Sequence, residues 1–168
     1  MKRRGMQEGV YVVEFAIISA LLFTLLFGVL EIGRLYYTVN VLNESVRRGA
    51  RLAAVCNISD PVVLRRAIFN SASDSGASTL LADLDTSDLT LRYLDKNGAQ
   101  VANPGDLVNA TGFASVRYVQ LTLQNYQFSL FIPGFGVPIT LPVFKATLPR
   151  ESLGRHTEAD VVPEITPC

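Results

Sequence analysis

Glu14 stands five residues after Gly9 and four after Val10, and it is the only charged side chain among the 21 residues of the run 10–30. An ionised carboxylate one turn inside such a run costs on the order of one to a few kcal/mol in a bilayer, less near the interface than at the centre. It can reach back to the headgroups at the nearby end of the run. Alternatively, a cut after Gly9 gives Val10 a free α-amino group at the positive end of a helix. Glu14 of one copy then pairs with the Val10 amine of a neighbour, which removes two charges from lipid at once and sets the axial register of packed helices. A second reactive pair is Cys56 and Cys168, the only two thiols in the chain, which allow a single intramolecular pairing.

Little else in the chain has the residue types for chemistry. His156 is the only histidine and lies in a polar tail, where acid–base work would depend on one isolated ring. No GxSxG, glycine-rich phosphate loop, CxxC or HExxH spacing occurs. Asp83, Asp85 and Asp88 lack the full ligand pattern of a calcium loop and read as turn residues. No catalytic residue, metal ligand or cofactor is therefore expected. The 15 basic and 15 acidic side chains of the 168 residues balance, which removes the overall attraction of a dedicated nucleic-acid binder.

The elements that must position Glu14 begin with the run itself. As a helix, residues 10–30 cover about 31 Å, close to the hydrocarbon thickness of a bilayer. Leu21, Leu22, Phe23, Leu25, Leu26 and Phe27 leave its middle without a polar face beyond Ser19 and Thr24, as lipid exposure requires. Lys2, Arg3 and Arg4 precede it against Glu8 alone, so the N-terminus is expected in the cytoplasm and the rest exported. The run is too long for a secretory signal and lacks a small-x-small cleavage site, so it is read as retained. Both cysteines then lie in an oxidising compartment, where a Cys56–Cys168 disulfide can persist; an intermolecular bond or two free thiols are the alternatives.

Beyond the span, Leu35, Val39, Leu42, Val46, Ala50 and Ala53 recur at spacings of three and four, so the helix is predicted to continue from Val10 to Val55 over about 69 Å. Arg47, Arg48 and Arg51 lie elsewhere around it and read as a solvated face. Asp60 and Pro61 start a short second helix through Phe69, ended by the serine-rich stretch SASDSGAS. Leu89, Leu91 and Tyr93 alternate with polar residues, as do Val119, Leu121 and Leu123, and Phe144, Ala146 and Leu148 mark a last strand. Runs 127–132 and 137–141 flank Pro133-Gly134-Phe135-Gly136 and predict a strand pair, with Pro138 and Pro142 placing it at an edge. Phe131, Phe135, Val137 and Ile139 are expected to be core rather than an exposed hairpin tip. The class is α+β, with the outer half of the long helix packed on a small antiparallel sheet.

The arrangement of basic leader, Gly9, Val10, Glu14, Phe15 and a long apolar helix resembles the class III prepilin processing site of type IV pilin-like proteins. Gly5 has no carboxylate in the same register. The longer string EFAIISALLFTLLFGVLEIGRLYYTVNVLNESVRRGARLAA resembles the TadE-like proteins, minor pilins or pseudopilins of the tight-adherence (Flp/Tad) pilus system. The likeness covers roughly the first third of the chain and rests on Glu14-Phe15-Ala16, on GVLEIGR from Gly28 to Arg34, and on Arg48-Gly49-Ala50-Arg51. Where that family often has a proline about six residues after the glutamate, this chain has Ala20, so no kink is expected there.

The resemblance implies a pilin-like fold and four regions: a cleaved leader 1–9, a transmembrane helix 10–33, its exported amphipathic continuation 34–56, and an exported α+β domain 57–168. It implies processing between Gly9 and Val10 by a prepilin peptidase and assembly through Glu14 and Phe15. Gly28, Glu31, Gly33 and Arg34 are candidates for helix docking, although Glu31 and Arg34 can equally pair across one turn at the outer interface. Implied partners are the major Flp-type pilin, sister minor pilins, the inner-membrane assembly platform and the lipid bilayer, with no nucleic acid. The place implied is the bacterial inner membrane, single-pass, N-terminus inside, with or without entry into the pilus. The competing reading is a membrane-tethered periplasmic binding module, for which the helix is an anchor only.

Overall fold

The computed structural model describes residues 8–131, 138–155, 165 and 168. The expectations placed on Lys2, Arg3, Arg4, Phe135, Val137 and His156 lie outside the described residues. Helix α1 is Glu8–Val55, 48 residues and about 72 Å, uninterrupted at Ala20. The chain forms two compact units, Met1–Tyr37 with Phe128–Ile139, and Thr38–Gln127 with Thr140–Cys168.

In the second unit, strands β1 (Leu89–Leu94), β2 (Tyr118–Leu123) and β5 (Phe144–Pro149) form an antiparallel sheet in the order β1-β2-β5. Leu91 stands opposite Leu121 and Leu121 opposite Ala146. Central β2 shows the expected alternation, with Val119, Leu121 and Leu123 fully buried. After β1 the Asp95 carboxylate accepts the N–H groups of Asn97 and Ala99, and Gly98 takes φ +80°, so the chain folds back at the predicted turn. The fold is α+β and compatible with a pilin.

The buried stripe of α1, Leu42, Val46, Gly49, Ala50 and Ala53, meets this sheet. Gly49 sets the approach: a Cβ there would lie 2.3 Å from Leu121 Cδ2 and 2.7 Å from the Ala67 Cβ of α2 (Pro61–Ala67). Leu121 Cδ2 can swing aside, but the Ala67 Cβ is fixed to backbone. Gly49→Ala is therefore expected to destabilise the protein by about 1–3 kcal/mol of overpacking, despite the roughly 1 kcal/mol that alanine gains in a helix. A lowered unfolding midpoint in detergent-solubilised protein is the expected reading; an equal or raised midpoint contradicts the close approach.

Helix α2 starts as predicted, with Asp60 accepting the Val62 N–H at 2.9 Å, and ends two residues earlier than expected because Phe69 turns to φ +68°. The serine-rich stretch then wraps the buried Asn70. Its amide donates to the Gly76 and Ala77 carbonyls and accepts the Thr79 N–H, while Ser78 donates to the Ile68 carbonyl. Asp85 and Asp88 form a reciprocal capping box on a 3-10 turn, the turn role their spacing predicted.

The end of α1 is closed by the far end of the chain. The Ala54 carbonyl accepts the N–H groups of Glu151 and Leu153, and the Val55 carbonyl those of Gly154 and the Ser152 hydroxyl. Leu153 is fully buried in the cluster of Ala53, Cys56, Val63, Tyr93, Val116 and Val119. Cys56 and Cys168 form a disulfide with Cα atoms 5.7 Å apart.

One expectation holds in part. Among the described residues of the runs 127–132 and 137–141 the strand pair is present but short, β3 (Gln127–Phe128) with β4 (Ile139–Thr140), a two-stranded sheet separate from the first. Pro138 has no N–H to give a ladder, and the N–H of Phe131 is committed to a side chain on α1. Phe131 and Ile139, expected in the core, are 75% and 43% exposed.

Candidate functional site on the long helix

Helix α1 is long and apolar enough to cross a membrane, and its apolar window is not buried inside the molecule. Val10, Tyr11, Phe15, Leu21, Leu25, Phe27 and Leu30 all project outward. A soluble protein would cover such a surface, whereas a lipid-facing helix has no other way to present it. Glu14 is exposed on this helix, and among the described residues no ion pair involves it. A Cβ on Gly9, Gly28 or Gly33 would meet nothing within 4 Å, so no contact among the described residues requires glycine at these positions.

The outer end of the apolar run carries a polar clasp. Glu31 and Arg34 are one turn apart and pair at 3.1 Å, as the sequence allowed. Their partners are nearly a hundred residues away. The second oxygen of the Glu31 carboxylate accepts the Phe131 backbone N–H at 2.8 Å. Arg34 donates from Nη2 to the Ser129 carbonyl, and its guanidinium lies between the rings of Phe128 and Phe131, 4.3 and 3.8 Å from their centroids. Glu31 is thereby buried beside a cation and a backbone donor, and Arg34 replaces water with two aromatic faces. Glu31 and Arg34 thus engage a segment of their own chain, and a Cβ on Gly28 or Gly33 would meet nothing in it. Phe128, Ser129 and Phe131 were not legible as members of the clasp; the available signal was an apolar, charge-free segment and a helical Glu–Arg pair.

Among the described residues outside the span, titratable groups do not converge on a reaction centre. Burial raises the phenol of Tyr93, which accepts the Ser59 N–H. Hydrogen bonds from the Asn109 side chain and the Asn109 and Val108 N–H groups lower Asp106, and burial lowers Arg150 beside Arg117. A cleft of about 640 Å³ lies among Asn57, Ser59, Asn103, Asp106, Phe113 and Arg155. Among the described residues no group of three or more histidines, cysteines or carboxylates could hold a metal ion.

The family model of the TadE-like proteins matches residues 9–51, the segment that contains Gly9, Glu14, the exposed apolar run, the clasp residues of α1 and Gly49. No curated protein and no solved structure matches the chain.

Proposed function

We propose that this TadE-like, Tad pilus-associated chain is a minor pilin or pseudopilin that assembles through its N-terminal helix in the biogenesis of a pilus for surface adherence. The observation that carries the reading is Glu14: a lone carboxylate on an exposed apolar helix, five residues after Gly9, inside the segment that the family model matches. A tether gains nothing from a charge in lipid beside a glycine. A subunit that is cut after Gly9 and packs against its neighbours gains a partner for that charge, the Val10 amine of the next chain.

On this reading residues 1–9 are a leader removed by a prepilin peptidase, 10–33 span the inner membrane with the N-terminus inside, 34–56 continue the helix outside, and 57–168 are the exported domain. Its partners are the major Flp-type pilin, sister minor pilins and the assembly platform. Gly9→Leu tests the reading, because a processing pocket that takes glycine cannot admit a branched side chain. Accumulation of unprocessed precursor in the membrane is the expected result; normal processing of the variant refutes it.

A further inference from the structure

We infer that the Phe128–Phe131 segment, held by the Glu31–Arg34 clasp, is a second membrane contact, with Phe131 seated at the acyl–headgroup boundary of the leaflet on the exported side. Height along the helix places it there. Glu31 stands 21 residues beyond Val10, about 32 Å along the axis, where a hydrocarbon core of about 30 Å ends. Tyr11 near one end and Tyr36 and Tyr37 near the other are exposed and about 38 Å apart, the spacing of two interfacial aromatic belts. Phe131 is tied by its own N–H to Glu31, between the last apolar residues of the run and the outer tyrosines.

The chemistry of the segment fits an interface and not open water. Residues 129–141 carry no charged side chain. At this level of α1 the cation Arg34 is paired with Glu31 and stacked on two rings, so approaching lipid need not strip a free charge from it. Phe131 nonetheless leaves most of its surface uncovered by protein, on the same unit as the exposed residues Leu30 and Ile32 of α1. That continuity with the lipid-facing helix selects a phospholipid interface as the occupant.

This inference rests on the membrane span of the proposed function, so the test carries a reporter in each place. The chain has no tryptophan, and Phe131→Trp and Phe23→Trp are therefore single reporters. The full-length chain is reconstituted at low density in phosphatidylcholine vesicles containing lipid brominated at shallow or deep acyl positions. Phe23→Trp should lose most of its emission to deep bromines, which establishes the span. Phe131→Trp should emit blue of an aqueous indole and lose most of its emission to shallow bromines, and adding Glu31→Ala should move it back toward water. Quenching of Phe23→Trp with an aqueous, iodide-accessible Phe131→Trp overturns the inference and leaves the span intact. A blue-shifted Phe131→Trp insensitive to bromine also overturns it, because the occupant is then protein.

Discussion

Glu14→Gln is expected to leave the chain inserted, processed and folded, and to abolish or strongly reduce pilus formation. The substitution keeps the shape of the side chain and removes its charge. Glu14 is exposed, and among the described residues of one copy no ion pair involves that charge. Between copies it is the only group in the run 10–30 able to neutralise a neighbour's amine. Leaving one partner of such a pair uncompensated costs about 3–5 kcal/mol, or roughly two to four orders of magnitude in association. Membrane crosslinking to the major pilin or a sister minor pilin should fall accordingly, with normal amounts of mature protein. Normal piliation would favour a carboxylate that only reaches the headgroups, and with it the tethered binding module.

The second large effect is expected from Cys168→Ser. The disulfide closes a loop with a sequence separation of 112 residues, for which the chain-entropy model gives about 4–5 kcal/mol as an upper figure. Cys168 is only half-buried, so serine at that position tests the link with little change in packing, whereas Cys56→Ser would also disturb the core cluster. The hydrogen bonds from Glu151 to Gly154 onto the Ala54 and Val55 carbonyls remain, so the variant should fold but unfold at a clearly lower denaturant concentration. Reduced parent protein should match it. An unchanged midpoint for the variant would show that the link contributes nothing.

What the sequence made legible follows from local regularity. The apolar run and the three-four spacing from Leu35 to Ala53 specify one helix, and α1 has nearly the predicted bounds. Alternation specified β1, β2 and β5, and two lone cysteines left one internal pairing. The misread elements depend on partners distant in sequence. Residues 127–141 alternate and turn like a hairpin, but the Phe131 N–H is taken by Glu31, a competition invisible to periodicity. Gly49 stood in a recognisable string, yet its reason, the Ala67 and Leu121 side chains against it, exists only in the folded domain. In sequence the serine-rich stretch reads only as a helix end, because the groups that organise it meet at a single buried residue, Asn70.

The proposal that an assembling pilin subunit is made from this chain stands or falls at its N-terminus. On that proposal, a cut after Gly9 creates the Val10 amine that pairs with Glu14 of a neighbour. Intact-mass analysis of the protein extracted from its native membrane, with peptide sequencing of its first residues, reads this directly. The expected result is a chain that begins at Val10 and has lost residues 1–9; a chain that retains Gly9 and the basic residues before it, or begins at any other position, contradicts it.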